Sequence, residues 1–167
     1  MPLRRAFLSL GSNVGDRRAN LEAAMAALER EHIHVVSRSS IYETEPQDVA
    51  DQPWFLNMAV ECESHYFPRQ MLKILQRIER ELGRVRAGAA RRGPRIIDID
   101  ILLLGSLVMK TEQLTIPHPR MLERRFVLEP LLEIAPEIRH PRTKEPISRY
   151  AAGVARQRVK KVNATSA

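Results

Sequence analysis

Arg91-Arg92-Gly93-Pro94-Arg95-Ile96-Ile97-Asp98-Ile99-Asp100-Ile101-Leu102-Leu103-Leu104-Gly105 sets the reading of the whole chain. From Ile96 onward it is β-branched and apolar apart from two aspartates. A strand points successive side chains to opposite faces, so Asp98 and Asp100 share one face while Ile97, Ile99 and Ile101 share the other. Two neighbouring carboxylates on an oily strand repel each other and lose hydration, and a cation between them is the natural way to keep both ionised. Oxygen-only ligation favours magnesium over zinc. A lone Asp-x-Asp serves equally well as a pair of solvated residues bridged to nearby arginines. Here Arg91, Arg92 and Arg95 run directly into the pair, and cations beside metal-holding carboxylates are what polyphosphate chemistry requires.

Upstream, residues 4–10 alternate as a first strand and end in Gly11-Ser12-Asn13-Val14-Gly15-Asp16, where Asp16 can cap the next helix. That helix, over about residues 17–31, places Leu21, Ala24, Met25 and Leu28 on one face. The glycine loop matches neither the phosphate-binding nor the dinucleotide-binding glycine pattern. Residues 33–42 and 56–61 read as second and third strands, joined by a long loop with two prolines and the aromatic pair Trp54-Phe55, which packs or covers a ligand. A second helix starts at Pro68, turns Met71, Leu75, Ile78 and Leu82 inward, and stops at Gly83. Residues 84–95 hold five arginines and no acid, a natural polyphosphate cradle or else a solvated loop. After the aspartate strand come Thr115-Ile116-Pro117-His118-Pro119, a short helix around Pro130, and a last segment, 147–162, with approximate helical spacing. The order strand, helix, strand, strand, helix, strand implies an α+β fold, a ferredoxin-like split βαβ with an antiparallel sheet and helices packed on it. In that arrangement the first and last core strands lie together at the centre.

The chain has 167 residues, suited to one domain over 1–167 with a basic C-terminal helix or tail at 139–167. From Arg139 onward eight lysines and arginines face one acid, Glu145, so the net charge of +7 resides in the tail and the remainder is balanced. A basic tail aids solubility or touches an anionic partner. The single cysteine, Cys62, excludes an intrachain disulfide and reads as a core residue. No apolar run approaches a membrane span, and the N-terminus lacks the pattern of a secretory signal, so a cytoplasmic protein is expected. The lack of an obvious exposed apolar stripe favours a monomer.

Six segments in order carry a family resemblance: Leu-Gly-Ser-Asn at 10–13, Tyr-Glu-Thr-Glu-Pro at 42–46, Asp-Gln-Pro-x-Phe-Leu-Asn at 51–57, Glu-x-Glu-Leu-Gly-Arg at 79–84, Gly-Pro-Arg-x-Ile-Asp-Ile-Asp at 93–100 and Pro-His-Pro-Arg-Met at 117–121. Together they make the chain resemble the hydroxymethyl-dihydropterin pyrophosphokinases of folate biosynthesis from Leu8 to about Pro136. The resemblance implies transfer of the β,γ-pyrophosphoryl group of ATP to the hydroxymethyl oxygen of the dihydropterin, with release of AMP. It implies that Asp98 and Asp100 hold two magnesium ions and, with Arg84 and Arg95, form the catalytic set. Gln76, Glu79, Arg86, Arg92, Ile101, Thr115, His118 and Arg124 would contact ATP. Phe55 and Phe126 would sandwich the pterin, Asn57 would bond its amide edge, and the backbone from Thr44 through Pro46 to Gln47 would read the rest.

The chain departs from the family pattern at Gln47-Asp48-Val49, where glycine often follows the proline, at Arg92, often aromatic, and at Pro119, tyrosine in some members. None of these touches the aspartate pair. Two rival readings remain in view. A nucleic-acid module of the same fold would place aromatics on central strands, where this chain has aspartates. A catalytically dead scaffold would not be expected to keep Asp98, Asp100, Asn57 and His118.

Overall fold

The computed structural model describes residues 2–46, 51–83 and 95–162. Its elements in chain order are β1 (Arg4–Ser12), α1 (Arg17–Arg30), β2 (His34–Arg38), β3 (Tyr42–Thr44), β4 (Phe55–Ser64), α2 (Pro68–Gly83), β5 (Asp98–Leu104), β6 (Met109–Lys110), β7 (Thr115–Ile116), α3 (Arg125–Ile134) and β8 (Val159–Lys161), with short 3-10 turns between β7 and α3 and between α3 and β8. Asp16 caps α1 by accepting from the Ala19 N–H at 3.0 Å. The expected inner faces form: Leu21, Ala24, Met25 and Leu28 of α1 are buried, as are Met71, Leu75 and Ile78 of α2.

The main sheet is antiparallel in the order β5-β1-β4-β3-β8, with β2 also paired to β4. Its two faces bury different cores. Leu8 and Leu10 of β1, Met58 and Val60 of β4, and Ile99 and Ile101 of β5 pack under α1 and α2. Phe7, Ala59, Leu102 and Leu103 pack under α3 and the turns that follow it. Cys62 lies within the first core, where burial pushes its thiol up to about 12 and leaves it an inert apolar residue.

Three expectations need correction. β5 adjoins β1, but it ends the strand path instead of lying at its centre; β1, β4 and β3 are the interior strands among the described residues. Beyond β5, the Ile99 N–H donates to Glu79 Oε2 at 2.7 Å and the His118 N–H to the Leu102 carbonyl at 2.9 Å, so side chain and loop cover this edge instead of a strand. The single strand expected over 33–42 is two, β2 and β3. Ser39 interrupts it: its Oγ accepts from the Ala59 N–H and donates to the Ser40 carbonyl, while Ser40 bonds Glu133 on α3. The expected terminal helix is also absent. Residues 147–154 form two 3-10 turns, Ile147–Tyr150 and Ala152–Val154, and the chain then extends into β8 against β3. Among the described residues, no helix is long and apolar enough to cross a membrane.

Candidate functional site

Strand register assembles the site on the α3 face of the sheet, beyond the first turn of α3. Gly11 of β1 lies opposite Asn57 of β4 on one side and Asp98 of β5 on the other; Ser9 likewise lies between Ala59 and Asp100. Alternation puts Ser9, Gly11, Asn57, Ala59, Asp98 and Asp100 on the same face. The floor between the amide of Asn57 and the two carboxylates is therefore made of glycine, serine and alanine.

Asn57 is buried, and its Nδ2 donates to the equally buried Thr44 Oγ1 at 2.6 Å. A side chain on Gly11 would fall far inside van der Waals contact of Asn57 Oδ1 and 3.5 Å from a ring carbon of Phe55. Gly11 thus leaves the room in which Asn57 and Phe55 sit. Phe126, in the first turn of α3, is half-buried, with the Arg124 guanidinium over its ring at 5.4 Å from the centroid.

The other end of the row is anionic. Burial first, and then Asp98, raise the Asp100 carboxyl to about 7, against the opposing pull of Arg124 and Arg95. Glu79 of α2 is raised to about 8, by burial above all and then by Asp98 and Asp100, although its bond from the Ile99 N–H pulls the other way. Three carboxyls thus crowd one corner, and the surroundings disfavour full ionisation of the protein alone. Among the described residues, no group of three or more His, Cys, Asp or Glu side chains is arranged to hold a metal ion. A protein-only cage is not what magnesium needs: it is commonly bound through one or two carboxylates with phosphate oxygens and water completing the shell. Asp98 and Asp100 supply such a donor pair, and their crowding favours a cation, so the residues fit the ion.

Asn13 holds the entrance together. Its Oδ1 accepts from the Arg95 N–H at 2.6 Å, its backbone N–H donates to the Arg95 carbonyl, and its Nδ2 donates to Gln52 Oε1 and the Pro53 carbonyl. Arg17 adds bonds to Glu43 and to the Trp54 carbonyl. The Leu-Gly-Ser-Asn motif therefore fixes the backbone of Arg95 and the loop leading to Phe55.

His118 is a neutral donor. Its Nδ1 accepts from the Arg120 N–H at 3.1 Å, which leaves the proton on Nε2, and burial together with Arg124 and Arg120 lowers its pKa to about 4. With Thr115, Lys110, Pro119, His140 and Arg142 it lines a cavity of about 380 Å³. Sequence reading missed Lys110, His140 and Arg142. The repeated His-Pro-Arg at 118–120 and 140–142 was the available signal, since the His140 Nδ1 accepts from Arg142 and Thr143 in the same way.

The structure thus brings Glu79, Arg95, Asp98, Asp100, His118 and Arg124 together, and places Thr44, Phe55, Asn57 and Phe126 on the neighbouring stretch. Pro46 ends the described part of its loop. Gln76 is exposed on α2, within one turn of Glu79. The side chain of Ile101 is buried in the core under α1 and α2, which leaves its backbone as the part that can meet a ligand. Arg84, Arg86 and Arg92, and the substituted loop at Gln47-Asp48-Val49, lie outside the described residues.

Residues 7–136 match the family model described as 7,8-dihydro-6-hydroxymethylpterin-pyrophosphokinase (HPPK). The chain is 49% identical over 134 residues to the Bacillus subtilis 2-amino-4-hydroxy-6-hydroxymethyldihydropteridine pyrophosphokinase, covering 80% of this chain and 79% of the relative. It is 45% identical to the Methylorubrum extorquens protein of the same name, covering 81% and 85%. Longer relatives contain it as a part: it is 43% identical to the Schizosaccharomyces pombe folic acid synthesis protein fol1 over 85% of this chain, but spans only 19% of that protein. The Plasmodium falciparum HPPK-DHPS crystal structure with pterin and p-hydroxybenzoate shares the fold, with a TM-score of 0.71 at 18% identity, covering 92% of this chain and 42% of that one.

Proposed function

Because the chain belongs to the 7,8-dihydro-6-hydroxymethylpterin-pyrophosphokinase family, we propose that it transfers the β,γ-pyrophosphoryl group of ATP to the hydroxymethyl oxygen of 6-hydroxymethyl-7,8-dihydropterin, releasing AMP. The hydroxymethyl oxygen bonds to the β-phosphorus, the bond from that phosphorus to the oxygen bridging the α-phosphate breaks, and the hydroxyl proton leaves to solvent.

The observation that carries this reading is the row Asn57-Gly11-Asp98. Its ends are two inter-strand spacings apart, about 10 Å. A flat bicyclic ring with a hydroxymethyl arm fits that span, its amide edge at Asn57 and its arm toward Asp98. Gly11 and Ser9 leave space above the floor, while Phe55 and Phe126 offer aromatic faces. Asp98 and Asp100 would hold two magnesium ions, which when bound neutralise the triphosphate and lower the pKa of the attacking hydroxyl. Arg95, Arg124 and the Nε2–H of His118 take phosphate oxygens, with Arg84, Arg86 and Arg92 as further cations. Gln76, Glu79, Thr115 and the Ile101 backbone border the nucleotide. Catalysis is then chiefly positioning and charge neutralisation on a rigid sheet.

The strand order, with two helices on one face, supports the ferredoxin-like assignment, but the opposite face is covered by α3 and its following turns. That cover argues against an open nucleic-acid platform. Among the described residues, the exposed large apolar side chains Leu3, Val36, Phe67, Leu107 and Val108 come from four separate segments of sequence, which favours a monomer. Stripping divalent cations with excess chelator is expected to lower turnover at least ~10³-fold, with recovery on adding magnesium. Turnover that persists in chelator overturns the metal assignment.

A further inference from the structure

The segment 155–162 lies beyond the residues matched by the family model, yet its hydrogen bonds converge on the two elements that carry the pterin contacts. On one side it pairs with β3: Val159 lies opposite Thr44, Lys160 opposite Glu43 and Lys161 opposite Tyr42, and the Val162 N–H donates to the Ile41 carbonyl at 2.8 Å. The ladder continues past the strand. The Glu45 N–H donates to the Arg158 carbonyl at 3.2 Å, and the Arg158 N–H donates to Glu45 Oε1 at 3.0 Å. The chain is thereby tied up to the residue before Pro46.

On the other side the same segment caps α3. The residue at its N-cap is Arg124, whose side chain has only donors and cannot satisfy the first N–H groups of the helix. Gln157 does so from a distance: its Oε1 accepts from the Arg125 N–H at 2.8 Å and its Nε2 donates to the Glu123 carbonyl at 2.7 Å. The Arg125 guanidinium answers by donating to the carbonyls of Ala155 and Gln157 at 3.2 and 2.9 Å. Residues 123–125 are thus clasped on both sides of Arg124, and the next residue is Phe126. The far end of α3 is tied to β3 separately, through Tyr42 Oη donating to Glu133 Oε1 at 2.6 Å.

We propose that residues 155–162 form a positioning strap for the pterin half of the site, with Gln157 as the positioning residue that sets Phe126 against the Thr44–Pro46 backbone. This rests on the pterin reading given above. It assigns a task to part of the basic tail: its backbone and one neutral side chain act, while Lys160 and Lys161 stay at the surface. The site is accordingly completed from a part of the chain that lies outside the family match.

Four full-length proteins test the strap: wild type, Gln157→Ala, Gln157→Glu, which keeps the acceptor for the Arg125 N–H, and Met25→Ala, a buried α1 change far from the strap that lowers stability alone. Steady-state kinetics with ATP, magnesium and 6-hydroxymethyl-7,8-dihydropterin are read beside hydrogen exchange at the Arg125 amide. Gln157→Ala is expected to raise the KM for pterin about tenfold and that for ATP less than twofold, and to speed exchange at Arg125. Gln157→Glu should recover part of the pterin KM, and Met25→Ala should lower Tm without the split. An equal rise in both KM values, a Met25→Ala protein with the same split, or faster exchange at Arg125 with an unchanged pterin KM overturns the strap. Failure of the underlying reading is seen separately, in the wild type: no pterin-dependent turnover there overturns both.

Discussion

Asp98→Ala and Asp100→Ala proteins fold and lose turnover by about 10³-fold or more, a change that corresponds to roughly 4 kcal/mol of transition-state stabilisation. The loss follows from removing a charged ligand at the point where triphosphate charge must be met. Folding does not suffer with it. In the absence of a cation the two carboxyls and Glu79 crowd one partly desolvated corner, and Asp100 is raised to about 7 from 3.8. The folded chain therefore holds that proton more tightly than the unfolded one. This group favours the fold below its ordinary range, and the advantage is lost as pH rises through that interval. Asp100→Asn keeps the shape without the charge, so in metal-free buffer at mildly alkaline pH its Tm is expected at or above that of the wild type. Added magnesium should raise the Tm of the wild type more than that of the variant. Differential scanning with and without magnesium checks both signs; near-normal turnover in either alanine variant would refute the assignment.

Gly11→Ala produces the second large effect, and it acts on the pterin side. The new methyl has Asn57 Oδ1 directly in its way, with a ring carbon of Phe55 at 3.5 Å. Asn57 cannot swing aside freely, because its Nδ2 is spent on Thr44 Oγ1 within a buried strand. Either that bond breaks or β1 and β4 separate, and overpacking of this kind costs about 1–3 kcal/mol. The pterin KM is expected to rise at least ~30-fold while the ATP KM changes little, since the atoms nearest the new methyl belong to Asn57 and Phe55 and not to Asp98 or Asp100. Pterin saturation curves at fixed ATP decide it. An unchanged pterin KM in a folded Gly11→Ala protein would mean that the substrate does not use Asn57.

Much of this arrangement is legible before any coordinates. Asp98 and Asp100 share a face because a strand has period two, and the inner residues of α1 and α2 follow from helical spacing; these signals are local. What escaped depends on pairings that no local pattern encodes. Nothing within Asp98–Leu104 says that β5 ends the sheet, since its apolar run reads as a central strand; its free edge is covered by Glu79 and the loop at His118. Ile147, Tyr150, Ala151 and Val154 are spaced for a helix, but the chain tightens into 3-10 turns and extends because β3 offers an open edge to Val159–Lys161. Gly11 reads as a turn glycine, and its actual office becomes visible only when register sets Asn57 opposite it. Gln157 carried no signal at all: its partners, Glu123 and Arg125, are more than thirty residues away.

The measurement that goes most directly to the central claim is the identity of the nucleotide product. Purified protein is incubated with magnesium, ATP and 6-hydroxymethyl-7,8-dihydropterin, and the nucleotides are separated. AMP formed in proportion to pterin, and only when pterin is present, is the result expected of pyrophosphoryl transfer. ADP as the product, or AMP formed equally without pterin, would contradict it.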